Sequence, residues 1–169
     1  MFTSPRRVHT PKTPCRRDAV VHVAFVAFLA ASAAAFALLE IQIEGGSGWA
    51  GALPTWRLQN RLTRLVMGRR ELTGYHLYVH LFVLLLLHLP FALGLAAPTL
   101  AAEARILAFL ALFWILEDFL WFVFNPEFGV RRFTPEHAWW HAPAWWWIMP
   151  REYWIFAPLG VALYLWSWS

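Results

Sequence analysis

The stretch RILAFLALFWILEDFLWFVF, residues 105–124, decides the fold. It is apolar throughout except for Arg105 at its start and the adjacent Glu117 and Asp118. About 20 such residues, rising ~1.5 Å each, cover the ~30 Å hydrocarbon core of a bilayer, so the stretch reads as a membrane-spanning helix. Two neighbouring acids inside it cost several kcal/mol together unless they face the bundle interior or water. They are therefore the first candidates for function.

Three further segments have the same character, at about 19–43, 75–95 and 153–168. The whole chain agrees: 60% of its 169 residues are hydrophobic and 14% charged, and the mean hydropathy is +0.49, which excludes an ordinary soluble domain. Many of the twelve tryptophans fall near the proposed helix ends, the headgroup level that amphipathic rings prefer. The expected architecture is an all-α membrane protein, a single domain of four transmembrane helices. A basic tail (1–18) precedes them, and long interfacial connections occupy 44–74 and 125–152. Residues 19–43 also read as a secretory signal, because Arg6, Arg7, Lys12, Arg16 and Arg17 precede an apolar run with Ala31–Ser32–Ala33. The run continues to Ile43, longer than a signal core, and this favours an uncleaved span. Its Ala30–Ala35 stretch offers a face for close helix approach.

The long connections carry the distinctive residues. The first opens on Gly45–Gly46–Ser47–Gly48, read as a flexible break. Leu58, Leu62, Leu65 and Val66 then recur at helical spacing with Arg57, Arg61 and Arg64 on another face. That pattern predicts an amphipathic interfacial helix. In the later connection Asn125–Pro126 ends a span, and Thr134–Pro135 offers an N-cap and first-turn proline for a short interfacial helix over residues 136–141.

Counting crossings brings four pairs to one membrane face: Glu40 with Glu44, His76 with His80, Glu117 with Asp118, and His137 with His141. Seven histidines placed at random would give well under one i,i+4 pair; here there are two. Two imidazoles one turn apart can ligate one ion, with carboxylates from other helices completing the shell. The expected metal ligands are His76, His80, His137 and His141, with zinc or iron as the ion. Glu117 and Asp118 are the expected catalytic acid–base groups, and Arg57, Arg61, Arg131 and Arg132 would bind an anionic headgroup. H-E-x-x-H is absent, as are the H-x-x-H-H boxes of membrane desaturases and a Gly-rich phosphate loop.

These residues predict a metal-dependent enzyme acting on a lipid or another amphiphile. The alternative is a non-enzymatic membrane scaffold or complex subunit whose polar cluster is structural. Membrane lipids are the expected partners, with oligomers or other membrane proteins possible and nucleic acid excluded, since the basic residues sit beside spans. The expected location is a bacterial-type cell membrane. Six basic residues (Arg6, Arg7, Lys12, Arg16, Arg17 and Arg105) face eight on the cluster side (Arg57, Arg61, Arg64, Arg69, Arg70, Arg131, Arg132 and Arg151), which places the cluster in the cytoplasm.

Overall fold

The computed structural model describes residues 16–67 and 70–169. The expectations placed on Arg6, Arg7, Lys12 and Arg69 lie outside these residues. Helices dominate: α1 (Arg16–Glu44), α2 (Arg61–Met67), α3 (Gly74–Ala92), α4 (Leu100–Phe124) and α5 (Arg151–Trp166). Two short antiparallel ribbons accompany them, β1 (Arg57–Leu58) with β2 (Leu72–Thr73), and β3 (Trp145–Trp146) with β4 (Met149–Pro150).

Three helical segments are long and apolar enough to cross a membrane, Ala19–Glu44, Gly74–Ala92 and Leu100–Phe124, which marks the chain as a membrane protein. α5 has sixteen residues, fewer than these three. The boundaries follow local chemistry. Thr73 caps α3 by accepting from the His76 amide, and Thr99 caps α4 by accepting from the Ala102 amide, so α4 begins five residues before Arg105. α3 ends at Ala92, where Pro90 and the left-handed Gly94 terminate the helical ladder.

α4 is the central element, with α1 and α5 packed along it. On α1 the buried row Leu29, Ala33, Ala37, Glu40 and Glu44 advances in steps of three or four and so forms one stripe. Ala33 and Ala37 are fully covered; of the Ala30–Ala35 stretch only Ala33 is buried, and Ala30, Ala31 and Ala35 are exposed. α4 answers with Phe109, Phe113, Glu117, Trp121 and Asn125. α3 leans on this pair more lightly, through Val83 and Leu87 against the cluster around Leu29 and Phe109.

Both connections depart from the predicted helices. Arg57 and Leu58 are drawn into the β1–β2 ribbon, and a reciprocal Asn60–Thr63 cap starts α2 only at Arg61, leaving seven residues. Leu62 and Leu65 are exposed on it. Residues 136–141 form turns rather than a helix. Thr134 Oγ1 engages the His137 ring at 3.1 Å instead of serving as a backbone cap, and Pro143 prevents continuation. A 3₁₀ turn over Ala142–Ala144 follows.

Gly160 sets the α4–α5 approach, since a Cβ there would sit 2.7 Å from Leu112 Cγ and 3.3 Å from the Ala108 carbonyl oxygen. Gly160→Val should therefore destabilise the protein by about 1–3 kcal/mol through overpacking, seen as a lower thermal midpoint in detergent. Val161→Ala, on the exposed neighbouring position, should leave the midpoint nearly unchanged.

Candidate metal centre

The α1 stripe that packs alanines against α4 ends in two acids, Glu40 and Glu44, both buried. They sit at the helix C-terminus, where the macrodipole is negative and disfavours carboxylates. Glu117 and Asp118 lie in the last two turns of α4, whose C-terminus approaches the same end of the bundle. Four acids and two negative helix ends therefore converge. Among the described residues, no arginine or lysine forms an ion pair with any of the four. Histidines approach two of them, His76 at Glu44 and His141 at Asp118.

His76, in the first turn of α3, comes toward Glu44 with Nε2 at 3.7 Å from Oε1. Glu40, Glu44 and His76 each offer a ligand atom within 4.8 Å of the others, and all three residues are buried. A hydrogen bond would be shorter than 3.7 Å, whereas tetrahedral ligands on bonds of about 2.1 Å stand about 3.4 Å apart. The spacing thus suits two ligands of one ion. Thr73 Oγ1, 2.7 Å from His76 Nδ1, fixes the ring. With the proton on Nδ1, Nε2 keeps its lone pair for a metal. The N-terminus of α3 adds a positive helix end opposite the acids.

Glu117 and Glu40 are hydrogen-bonding partners. Two carboxyl groups in contact need a proton or a cation between them. The other Glu117 oxygen, Oε1, is buried without a hydrogen-bond partner, and the residue is only 3% exposed. Buried polar atoms are rarely left in that condition, and such an atom calls for an ion, water or proton. Tyr75 completes this half of the cluster by donating to Glu40 Oε1 at 3.0 Å.

Asp118 points to different partners. His141 Nε2 lies 3.1 Å from both carboxylate oxygens, and the Tyr153 hydroxyl donates to Oδ2. His141 Nδ1 is buried and unpartnered. Arg70, bonded to Glu152 at 2.7 Å, contributes favourable charge to Asp118 from farther away.

The first connection is built around this cluster rather than hinging freely beside it. Gly45 and Gly48 adopt left-handed backbone, and so do Trp49 and Ala50, where side chains disfavour it. Compensation is visible: the Ala50 amide donates to Glu44 Oε1 at 2.5 Å, and Trp49 stacks on His76 with ring centroids 3.9 Å apart. Arg70 lies over the other ring system of that stack, 5.0 Å from the Trp49 centroid. A Cβ on Gly48 would meet the Trp140 ring at 2.3 Å, so the two long connections interlock here.

The eight converging residues separate accordingly. Glu40, Glu44, His76 and Glu117 form one group, with Asp118 and His141 beside it. His80 turns its Nδ1 back to the His76 carbonyl at 2.7 Å and stacks on Trp114, apart from the carboxylates. His137 is exposed and bonded to Thr134, because the turn over residues 136–141 separates it from His141. Arg57 is engaged by the Ala50 carbonyl at 2.5 Å, and Arg132 by the Glu127 carbonyl. Arg61 and Arg131 are exposed. Tyr75, Tyr153, Thr73 and Arg70 were not singled out by sequence reasoning, although Thr73 and Tyr75 immediately flank the His76 turn.

Asn125 ties the end of α4 to the end of α1, donating from Nδ2 to the Gly45 carbonyl at 2.9 Å and accepting from the Glu127 amide at 3.0 Å. Asn125→Leu keeps much of the volume but leaves both backbone groups without this partner. A loss of about 1–3 kcal/mol is expected, measured as a lower thermal midpoint in detergent with helical content retained.

Comparison with protein-family models, curated proteins and solved structures gave no match.

Proposed function

We propose that the chain is a metal-dependent membrane enzyme in which Glu40, Glu44 and His76 hold a divalent cation and the substrate is a lipid or another amphiphile. The observation that carries this reading is the imbalance of charge and hydrogen bonding: four acids that pair with no arginine among the described residues, and a buried Glu117 oxygen with nothing to bond. A divalent cation relieves both. The donors are hard oxygens with one imidazole and no thiolate, which suits zinc, iron or manganese. Such an ion would supply Lewis acidity at the interface. In this reading Glu117 Oε1 takes a proton as general base, and Asp118 holds His141 and Tyr153 in position.

In this proposal α5 is a fourth span. Its sixteen residues reach about 24 Å, and Trp154, Trp166 and Trp168 supply the interfacial aromatic ends that a short span needs. The exposed Arg61, Arg131 and Arg132 then share a side with the cluster, available to headgroup phosphates. α2 lies at that interface with Leu62 and Leu65 toward the acyl boundary.

A second reading has its own support. The Glu44–Ala50, Tyr75–Glu40 and Asn125–Gly45 hydrogen bonds tie the first connection to the bundle, as a scaffold would require. Metal content separates the two. Protein purified in detergent without chelator should contain about one ion per chain by elemental mass spectrometry. Glu44→Gln and His76→Ala should each remove most of it, while His137→Ala should not. Metal-free wild type, or equal loss with His137→Ala, would leave the scaffold reading.

Orientation has a separate check. With four spans and the cluster in the cytoplasm, a reporter fused after Ser169 should read the non-cytoplasmic side. Cytoplasmic reporter activity would overturn that topology.

A further inference from the structure

Between α1 and α3 lies an open groove of about 580 Å³, walled by Phe36, Leu39 and Ile43 on one side and Tyr78, Val79 and Phe82 on the other. Its volume falls within the ~300–1,000 Å³ of small-molecule sites. Both walls belong to helices long and apolar enough to cross the membrane. Along α1 the wall runs from Phe36 to Ile43, a rise of about 10 Å. The groove changes character at one end, where Tyr75 and the Pro54–Thr55–Trp56 segment close it. Tyr75 is half-buried there, and its hydroxyl donates to Glu40. An apolar slot between spanning helices that ends at a phenol bonded to a carboxylate has the polarity of an amphiphile.

We propose that this groove holds the acyl chain of a bilayer lipid, with the polar end of that lipid brought by Tyr75 to the Glu40–Glu44–His76 cluster. The inference rests on the metal-centre reading for what happens at the polar end, but the groove itself does not depend on it. Hydrocarbon is the medium that meets this face, and apart from the Tyr78 hydroxyl the side walls are apolar. A second groove, about 470 Å³ and lined by Leu112, Phe119, Phe133 and Tyr153, approaches Asp118 instead. Tyr153 is buried and committed to Asp118, so that groove offers no comparably accessible hydroxyl. The α1–α3 groove is therefore the entry route. Tyr75 acts as a positioning residue.

The test uses the full chain in phosphatidylcholine vesicles doped with phosphatidylcholine carrying a diazirine midway along one acyl chain. After photolysis, cross-links are mapped by mass spectrometry, and bound metal is measured on the same preparation. Labelling should concentrate on Ile43, Tyr78 and Phe82 above the level at Val23 and Leu159, which are exposed elsewhere on the helices. Val79→Trp should fill the groove and reduce labelling to that background, while metal content stays at the wild-type value. Ile43→Trp, from the opposite wall, gives the same readout at Tyr78 and Phe82 should Val79→Trp not fold. Uniform labelling of wild type, or groove labelling unchanged by a folded filling variant, overturns the proposal. Groove labelling of metal-free protein would sustain the groove and sink the metal reading; metal without groove labelling would do the reverse.

Discussion

The constraint on which the rest depends is the burial of carboxylates at the C-terminal ends of two helices. Nothing about Glu40 and Glu44 favours their position electrostatically: α1 ends there, its dipole is negative, and Glu117 faces Glu40 across the helix pair. The surrounding structure supplies what the acids lack. α3 presents its N-terminus and His76, Thr73 orients that imidazole, Ala50 gives an amide to Glu44, and Tyr75 gives a hydroxyl to Glu40. Even so, one oxygen of Glu117 has no partner. A purely structural network would more economically replace such acids with apolar side chains, since buried charge is a poor source of stability.

Close packing and polar chemistry lie on the same stripe of α1. Ala33 and Ala37 let α1 lie against α4, and the same helical row, one turn further, delivers Glu40 and Glu44. Phe113, Glu117 and Trp121 do likewise on α4. The alanine contact therefore sets how close the carboxylates come. Loop strain serves the same end, because the left-handed Trp49 and Ala50 aim a ring at His76 and an amide at Glu44.

Much of this was legible before any coordinates. Apolar length identified the long helices, the alanine run held one residue of the close-packed face, Ala33, and the direction of successive helices brought Glu40, Glu44, His76 and Glu117 to one end. The histidine pairs were harder. An i,i+4 spacing places Cβ atoms on one face but says nothing of ring direction, and His80 turned back to its own helix's carbonyl. The pairing of His137 with His141 assumed a helix that Thr134 and Pro143 do not support. The backbone amide of Ala50 and the partners of Tyr75 and Tyr153 depend on loop and helix placement that no local pattern encodes.

The contact between Gly48 and Trp140 carries a consequence in time. Gly48 leaves the ribosome long before Trp140, yet the loop that presents Trp49 and Ala50 to the cluster is shaped against that indole ring. Chains fold from the N-terminus as they are made, so α1, α3 and α4 can enter the bilayer while the loop still lacks its template. The acids of α1 must pass through this interval in protonated or hydrated form, and the loop takes its shape around them only when the last connection arrives. Chain termination before Trp140 would thus yield inserted helices with an open polar end, the species most exposed to membrane quality control.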